Sequence, residues 1–351
     1  MDAPTSIEQE IVFTRCPALP NSATLASQLG YVGNARDNGA SVTEFIGADK
    51  FAQDARYWLR YAGYSKPLWA FGNGEDTRLV GLSKHRSACA VYTLQRGDMA
   101  SGADLKGRRI ALFRDAGLKL DYNRIIYLQT LDAALKDAGL ALSDVALVDF
   151  AIDREDFMRR AGVDYARLND TPEGYSAPVN LFTEIARTSV ELLLAGRVDA
   201  IAANLPAGVA EFLGLRKIYD PAREKDVHAA HDLRCLIVSG ALARERRADL
   251  VGLIADLLAA GDWARANGAD ETSRLLARDL RVDRDVLMLD TDDIVGGMSI
   301  GLSPEDLAML EHKKRFLLAQ GLIDRDIDLS AWADPTIMDE ARALARERAA
   351  G

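Results

Sequence analysis

Apolar positions along the chain fall into short β-like runs and longer helical stripes that alternate with one another. Ile11, Val12 and Phe13 follow the polar Glu8-Gln9-Glu10 and predict a first strand. Pro17, Pro20 and Asn21 then interrupt the backbone, and Ser22 to Leu29 predicts a helix with Asn21 or Ser22 as its N-cap. A second strand is expected from Ala40 to Ile46 and a helix from Asp49 to Tyr61, ended by Gly63. A short apolar helix or turn follows over Pro67 to Phe71, then strands over Thr77 to Ser83 and Ala88 to Leu94. This alternation predicts a parallel or mixed sheet.

A polar turn, Gly102-Ala103-Asp104-Leu105-Lys106-Gly107, leads into the run Arg108 to Leu112 and marks entry to a new lobe. A helix over Tyr122 to Ala138, a strand over Val145 to Ile152, a helix over Ala177 to Ala195 and a turn and strand over Gly196 to Ala202 complete it. Asp232 to Ser239 predicts one further strand, and helices over 243–266, 269–280, 304–320 and 335–349 carry heptad-like apolar spacing with charged outer faces. The expected fold is α/β and two-lobed, with residues 1–103 plus 204–351 as a discontinuous lobe I, 104–203 as lobe II, and a helical C-terminal region.

Hydrophobic content of 48% with 27% charged residues is ordinary for a globular protein. A net charge of −10 argues against nucleic acid or an anionic membrane as partner. The first ten residues lack the basic and apolar regions of a secretory signal, and no window is long and apolar enough to span a bilayer. Cys16, Cys89 and Cys235 have no CxxC spacing, so neither a disulfide framework nor a zinc site is indicated. A cytoplasmic protein with reduced thiols is expected.

Cys16 carries the candidate chemistry. It follows the first strand and precedes a helix N-terminus, the edge where α/β sheets bind ligands and where a helix dipole favours thiolate. A small buried hydrophobe is the alternative reading. Tyr57, Trp58, Tyr61 and Trp69 are candidates for an aromatic pocket or for core. His85 follows a predicted strand towards the cleft, while His228 and His231 have a metal-pair spacing without a third ligand and are read as a solvated loop. Walker, dinucleotide-binding and Ser-His-Asp signatures are absent, and neither cofactor nor metal is expected.

Two α/β lobes joined by two crossings resemble the type II periplasmic-binding-protein fold. Asp104-Leu105-Lys106-Gly107-Arg108-Arg109-Ile110-Ala111 and Ala195-Gly196-Arg197-Val198-Asp199-Ala200 are similar to segments of sulfonate, taurine and thiamine-precursor binding proteins. A sharper resemblance, running nearly end to end, is to the hydroxybiphenyl sulfinate desulfinase family. Phe13-Thr14-Arg15-Cys16-Pro17-Ala18-Leu19-Pro20-Asn21 resembles the segment around that family's cysteine nucleophile. Arg60-Tyr61-Ala62-Gly63-Tyr64-Ser65-Lys66-Pro67-Leu68 resembles the segment whose arginine and glycine amide hold the sulfinate. Trp263-Ala264-Arg265 and Leu329-Ser330-Ala331-Trp332-Ala333 match later segments in the same order.

The resemblance implies a carbon–sulfur lyase in which Cys16, Lys50 and Arg60 are catalytic and Arg60, Gly63 and Phe51 bind substrate. Lys50 is the departure, because it stands where the family has a histidine, just before the matching Phe51. A lysine lowers a neighbouring thiol's pKa through its charge, but it shuttles protons near neutrality only when burial depresses its own. The implied partner is a small organic anion, a sulfinate or sulfonate, taken up by a monomer. A non-catalytic binding protein for such an anion is the competing reading, and an enzyme keeping Cys16 and Arg60 for another reaction is a third.

Overall fold

The computed structural model describes residues 11–15, 21–33, 36–40, 55–115, 118, 120–160, 172–205, 207–223, 227–280, 284, 287 and 293–350. Two five-stranded sheets organise them. The first is built from β1 (Ile11–Arg15), β2 (Arg36–Ala40), β3 (Tyr57–Gly63), β4 (Thr77–Arg86) and β10 (His231–Ser239), in the order β2-β1-β3-β10-β4. The second takes β5 (Cys89–Leu94), β6 (Arg109–Phe113), β7 (Ala146–Phe150), β8 (Ala200–Asn204) and β9 (Leu215–Tyr219), in the order β7-β6-β8-β5-β9. In the first sheet β1, β2 and β3 run parallel and β10 is antiparallel to both β3 and β4.

The chain crosses between sheets twice, after β4 and before β10, and these two strands are neighbours. The sheet pairing differs from the expected lobe limits. Strands β5 and β9, which limits at 103 and 204 assign to lobe I, pair with the second sheet instead. The polar turn at 102–107 had marked the lobe entry, but it joins two strands of one sheet. Strand β9, Leu-Arg-Lys-Ile-Tyr, lies at a sheet edge, is only five residues long and carries Arg216 and Lys217 side by side, so its strand signal is weak.

A larger difference concerns 49–61. Residues 57–63 form a central strand, not the end of a helix, and Gly63 closes a strand rather than capping a helix. Trp58 to Ala62 are all buried because β1 and β10 flank the strand and both its faces are covered. A strand buried on both faces loses period-two alternation, and its aromatic residues then mimic helical spacing. The first part of that predicted helix lies outside the described residues, as does the predicted strand beyond Ala40.

Helices cover the sheets. They are α1 (Ser22–Gln28), α2 (Ser65–Gly72), α3 (Tyr122–Asp137), α4 (Arg154–Arg160), α5 (Pro172–Leu194), α6 (Ala207–Phe212), α7 (Val227–Ala230), α8 (Gly240–Glu245), α9 (Arg247–Leu280), α10 (Pro304–Ala319), α11 (Leu329–Trp332) and α12 (Pro335–Ala350). Gly268, at φ 80°, breaks α9 where two successive helices were expected, a conformation glycine adopts without a Cβ penalty. The first core joins Ile11, Phe13 and Leu59 to Leu68, Leu236 and Trp332, so the C-terminal helices pack on the first sheet. No described helix is long and apolar enough to cross a membrane.

Candidate functional site

Strand β1 ends at Arg15, paired with Tyr61 of β3, and Cys16 is the next residue in the chain. Cys16, Lys50 and Phe51 lie outside the described residues; Arg60 and Gly63 lie within them. Asn21 caps α1, its Oδ1 accepting from the Thr24 amide at 2.9 Å, as the pattern predicts.

Arg60 sits on β3, 5% exposed, in register with Thr14 of β1. Its Nη1 donates to Thr14 Oγ1 at 3.4 Å. Arg60 is thus a buried strand residue whose guanidinium reaches the neighbouring strand β1. Gly63 closes the same strand, and α2 starts two residues later. Tyr64, the N-cap of α2, makes no side-chain capping bond, so the helix presents its first amides without that satisfaction. A carboxyl strand end followed directly by a helix N-terminus favours an anion. A Cβ added at Gly63 would come no closer than 4.0 Å to any described side chain, here Arg234 Nη1.

Arg234 was not singled out from the sequence. It stands on β10 opposite Gly63 on one side and Ser83 of β4 on the other, and is 7% exposed. The available signal was a lone arginine in the apolar run Leu233 to Val238. Beside it runs a buried polar chain: the Tyr61 hydroxyl donates to Ser83 Oγ, which stands 2.9 Å from His85 Nε2. Burial, with the nearby charge of Arg234, drives the His85 pKa well below its ordinary value, which keeps the ring neutral. Burial also pushes the Tyr61 phenol up to about 12.

The other candidates are placed elsewhere. Trp58 and Tyr61 are core, and Tyr57 turns outward to donate to Glu245 Oε2 at 2.8 Å. Trp69 is partly buried against the first core. Cys89 and Cys235 are buried free thiols, and burial pushes Cys89 up to about 12. The His228 ring stacks on His312 of α10, centroids 4.3 Å apart, instead of lying in a solvated loop. It borders a cavity of about 390 Å³ at the chain crossings, lined among others by Gln129, Asp232 and Lys313 but not by Arg60 or Gly63. Among the described residues no cluster of three metal-ligating side chains occurs.

The chain is similar to a desulfinase from end to end. The 2'-hydroxybiphenyl-2-sulfinate desulfinase of Rhodococcus erythropolis is 26% identical over 359 aligned positions, covering 96% of this chain and 94% of that protein. The desulfinase of Rhodococcus qingshengii matches to the same extent. Among solved structures, a cysteine-to-serine mutant of the enzyme DSZB in complex with biphenyl-2-sulfinic acid superposes with a TM-score of 0.72 at 24% identity, covering 95% of this chain and 99% of that one. The periplasmic aliphatic sulphonate binding protein SsuA from Escherichia coli gives a TM-score of 0.59 at 16% identity, covering 93% and 91%. The periplasmic-binding-protein-like fold is therefore shared with an enzyme and with a binding protein, and fold alone does not choose between them. No family model matches the chain.

Proposed function

We propose that this protein is a desulfinase-like carbon–sulfur lyase that releases sulfite from an aryl or alkyl sulfinate. The observation that carries the reading is the similarity to the Rhodococcus desulfinase over 96% of the chain. The buried position of Arg60 and the strand-end position of Gly63 support it. In the net reaction a sulfinate and water give the hydrocarbon and hydrogen sulfite.

Arg60 grips two sulfinate oxygens with its planar fork, and Thr14 helps to hold that fork in place. The Gly63 amide adds a donor with no side chain blocking approach. Cys16 either attacks sulfur as thiolate or delivers a proton to the carbon that sulfur leaves. Lys50 favours the thiolate or the bound anion through its charge, and Phe51 lines the substrate. The two lobes close around the ligand and leave room for the one water that the net reaction consumes. The protein works as a cytoplasmic monomer and takes a small organic anion as its only ligand.

The test is sulfite release from a panel of aryl and alkyl sulfinates, with Cys16→Ser alongside. Sulfite from the wild type and none from Cys16→Ser is the expected result. No sulfite from either, with a sulfonate raising the melting temperature of both, would replace the lyase by an anion-binding protein.

A further inference from the structure

Arg234 is 7% exposed and its Nε is fully buried, at the carboxyl end of β3 in the first sheet. Among the described residues it makes no ion pair, and its Nε has no hydrogen-bond partner. Asp232, two residues before it on the same strand and in register with His85, makes no ion pair with Arg234 among the described residues. The other polar groups nearby are the hydroxyls of Tyr61 and Ser83 and the His85 ring, none of which carries a negative charge at neutral pH. A guanidinium does not shed its proton, and an unpaired charge in such a position is costly to keep. An arginine of this kind is what an anionic ligand would complete.

The neighbourhood names the ligand class. Arg234 Nη1 lies 4.0 Å from where a Gly63 Cβ would stand, so it shares the edge from which the Gly63 amide and the start of α2 face an anion. We propose that Arg234 is a second anion-binding arginine of this site, holding a sulfinate, or the sulfite that leaves it, together with Gly63. This rests on the desulfinase reading. Arg60 and Arg234 come from different strands and opposite faces of the sheet, since Arg60 is in register with Ile237 and Arg234 with Gly63. A sulfinate and a thiolate carry one negative charge each, so two guanidiniums match their total better than one.

The experiment titrates sodium benzenesulfinate and sodium sulfite into wild type, Arg234→Met and Arg234→Lys, by calorimetry and by thermal melting. A buried, unpaired cation destabilises the ligand-free protein, so Arg234→Met should melt at or above the wild-type temperature. The same variant should bind benzenesulfinate about tenfold more weakly or worse, the loss of a charge-assisted contact. Arg234→Lys, which keeps the charge without the fork, should fall between them. A merely structural arginine would give the opposite pair of results, a lowered melting temperature with unchanged affinity, and that would overturn the proposal. Should Arg234→Met fail to fold, Arg234→Lys decides, wild-type affinity in it counting against the assignment.

Sulfite release separates this inference from the reading beneath it. Release by the wild type with unchanged KM in Arg234→Met would keep the lyase and overturn the role of Arg234. No release, with Arg234-dependent benzenesulfinate binding, would overturn the lyase and keep Arg234. Absence of anion binding to the wild type would overturn the assignment.

Discussion

Thr14 and Arg60 face each other across the β1–β3 ladder, and the Arg60 guanidinium reaches the Thr14 hydroxyl at 3.4 Å, with both residues buried. The threonine is one of the groups that hold the arginine's fork. Thr14→Val keeps the shape and removes the acceptor. In the proposed desulfinase it should raise KM about three- to tenfold with kcat within about twofold, the signature of a lost positioning contact. Steady-state sulfite release measures both constants, and an unchanged KM would show that Thr14 has no part in aiming Arg60.

Gly297 lies under the His85 ring. A Cβ there would stand 2.7 Å from His85 Nδ1, closer than packing permits, and the ring is tied to Ser83. Gly297→Ala should cost about 1–3 kcal/mol as an overpacked site. Chemical denaturation checks this, and adding His85→Ala should recover much of the loss if the clash is the cause.

Trp332 shows what the late matching segment contributes. Its indole is fully buried, donates Nε1–H to Thr77 Oγ1 at 3.0 Å and stacks on Phe71 with centroids 5.4 Å apart. It pins α11 to β4 and forms part of the core, so Trp332→Ala should cost about 3–5 kcal/mol. Trp332→Phe should lose less, because the stack survives although the Thr77 contact does not. Equilibrium urea unfolding of the two variants gives the comparison.

Much of this architecture is legible in the sequence, and the exceptions share a cause. The first strand, the Asn21 cap, α2, α3 and the late helices follow from local patterns that tertiary contacts reinforce. Strand β3 does not, because being central removes the alternation that identifies a strand, and Tyr57, Trp58 and Tyr61 then imitate a helical stripe. Resemblance singled out Arg60 and Gly63 even so, since it depends on residue order rather than periodicity. Arg234 was missed for the converse reason. It meets Gly63 only through the pairing of two strands far apart in sequence, and nothing local to Leu233–Val238 announces that contact.

The Glu184 carboxyl, on α5, gives a pH signature. Bonds from Arg187 on the same helix and from Arg160 of α4, at 2.7 and 2.8 Å, hold its pKa at about 2 against an ordinary 4.5. A carboxylate depressed by folding adds stability that is fully present above its unfolded pKa and is lost as pH falls through the folded one. The melting-temperature gap between wild type and Glu184→Gln should therefore be widest above pH 4.5 and should close as pH falls towards 2. A gap constant over that range would mean the ion pairs add nothing.

The position of β10 also governs the order in which the protein can be assembled. Strand β3 receives β1 from upstream of it, but its other neighbour arrives only after the whole second sheet has been made. On the ribosome, β5 to β9 can zip together while one edge of β3, bearing Trp58, Leu59 and Tyr61, still waits for its ladder to close. That long-range closure slows folding and leaves an apolar strand edge open to wrong partners, which makes the nascent chain a natural client for chaperones. The residues that would hold the anion are thus among the last to be brought into register.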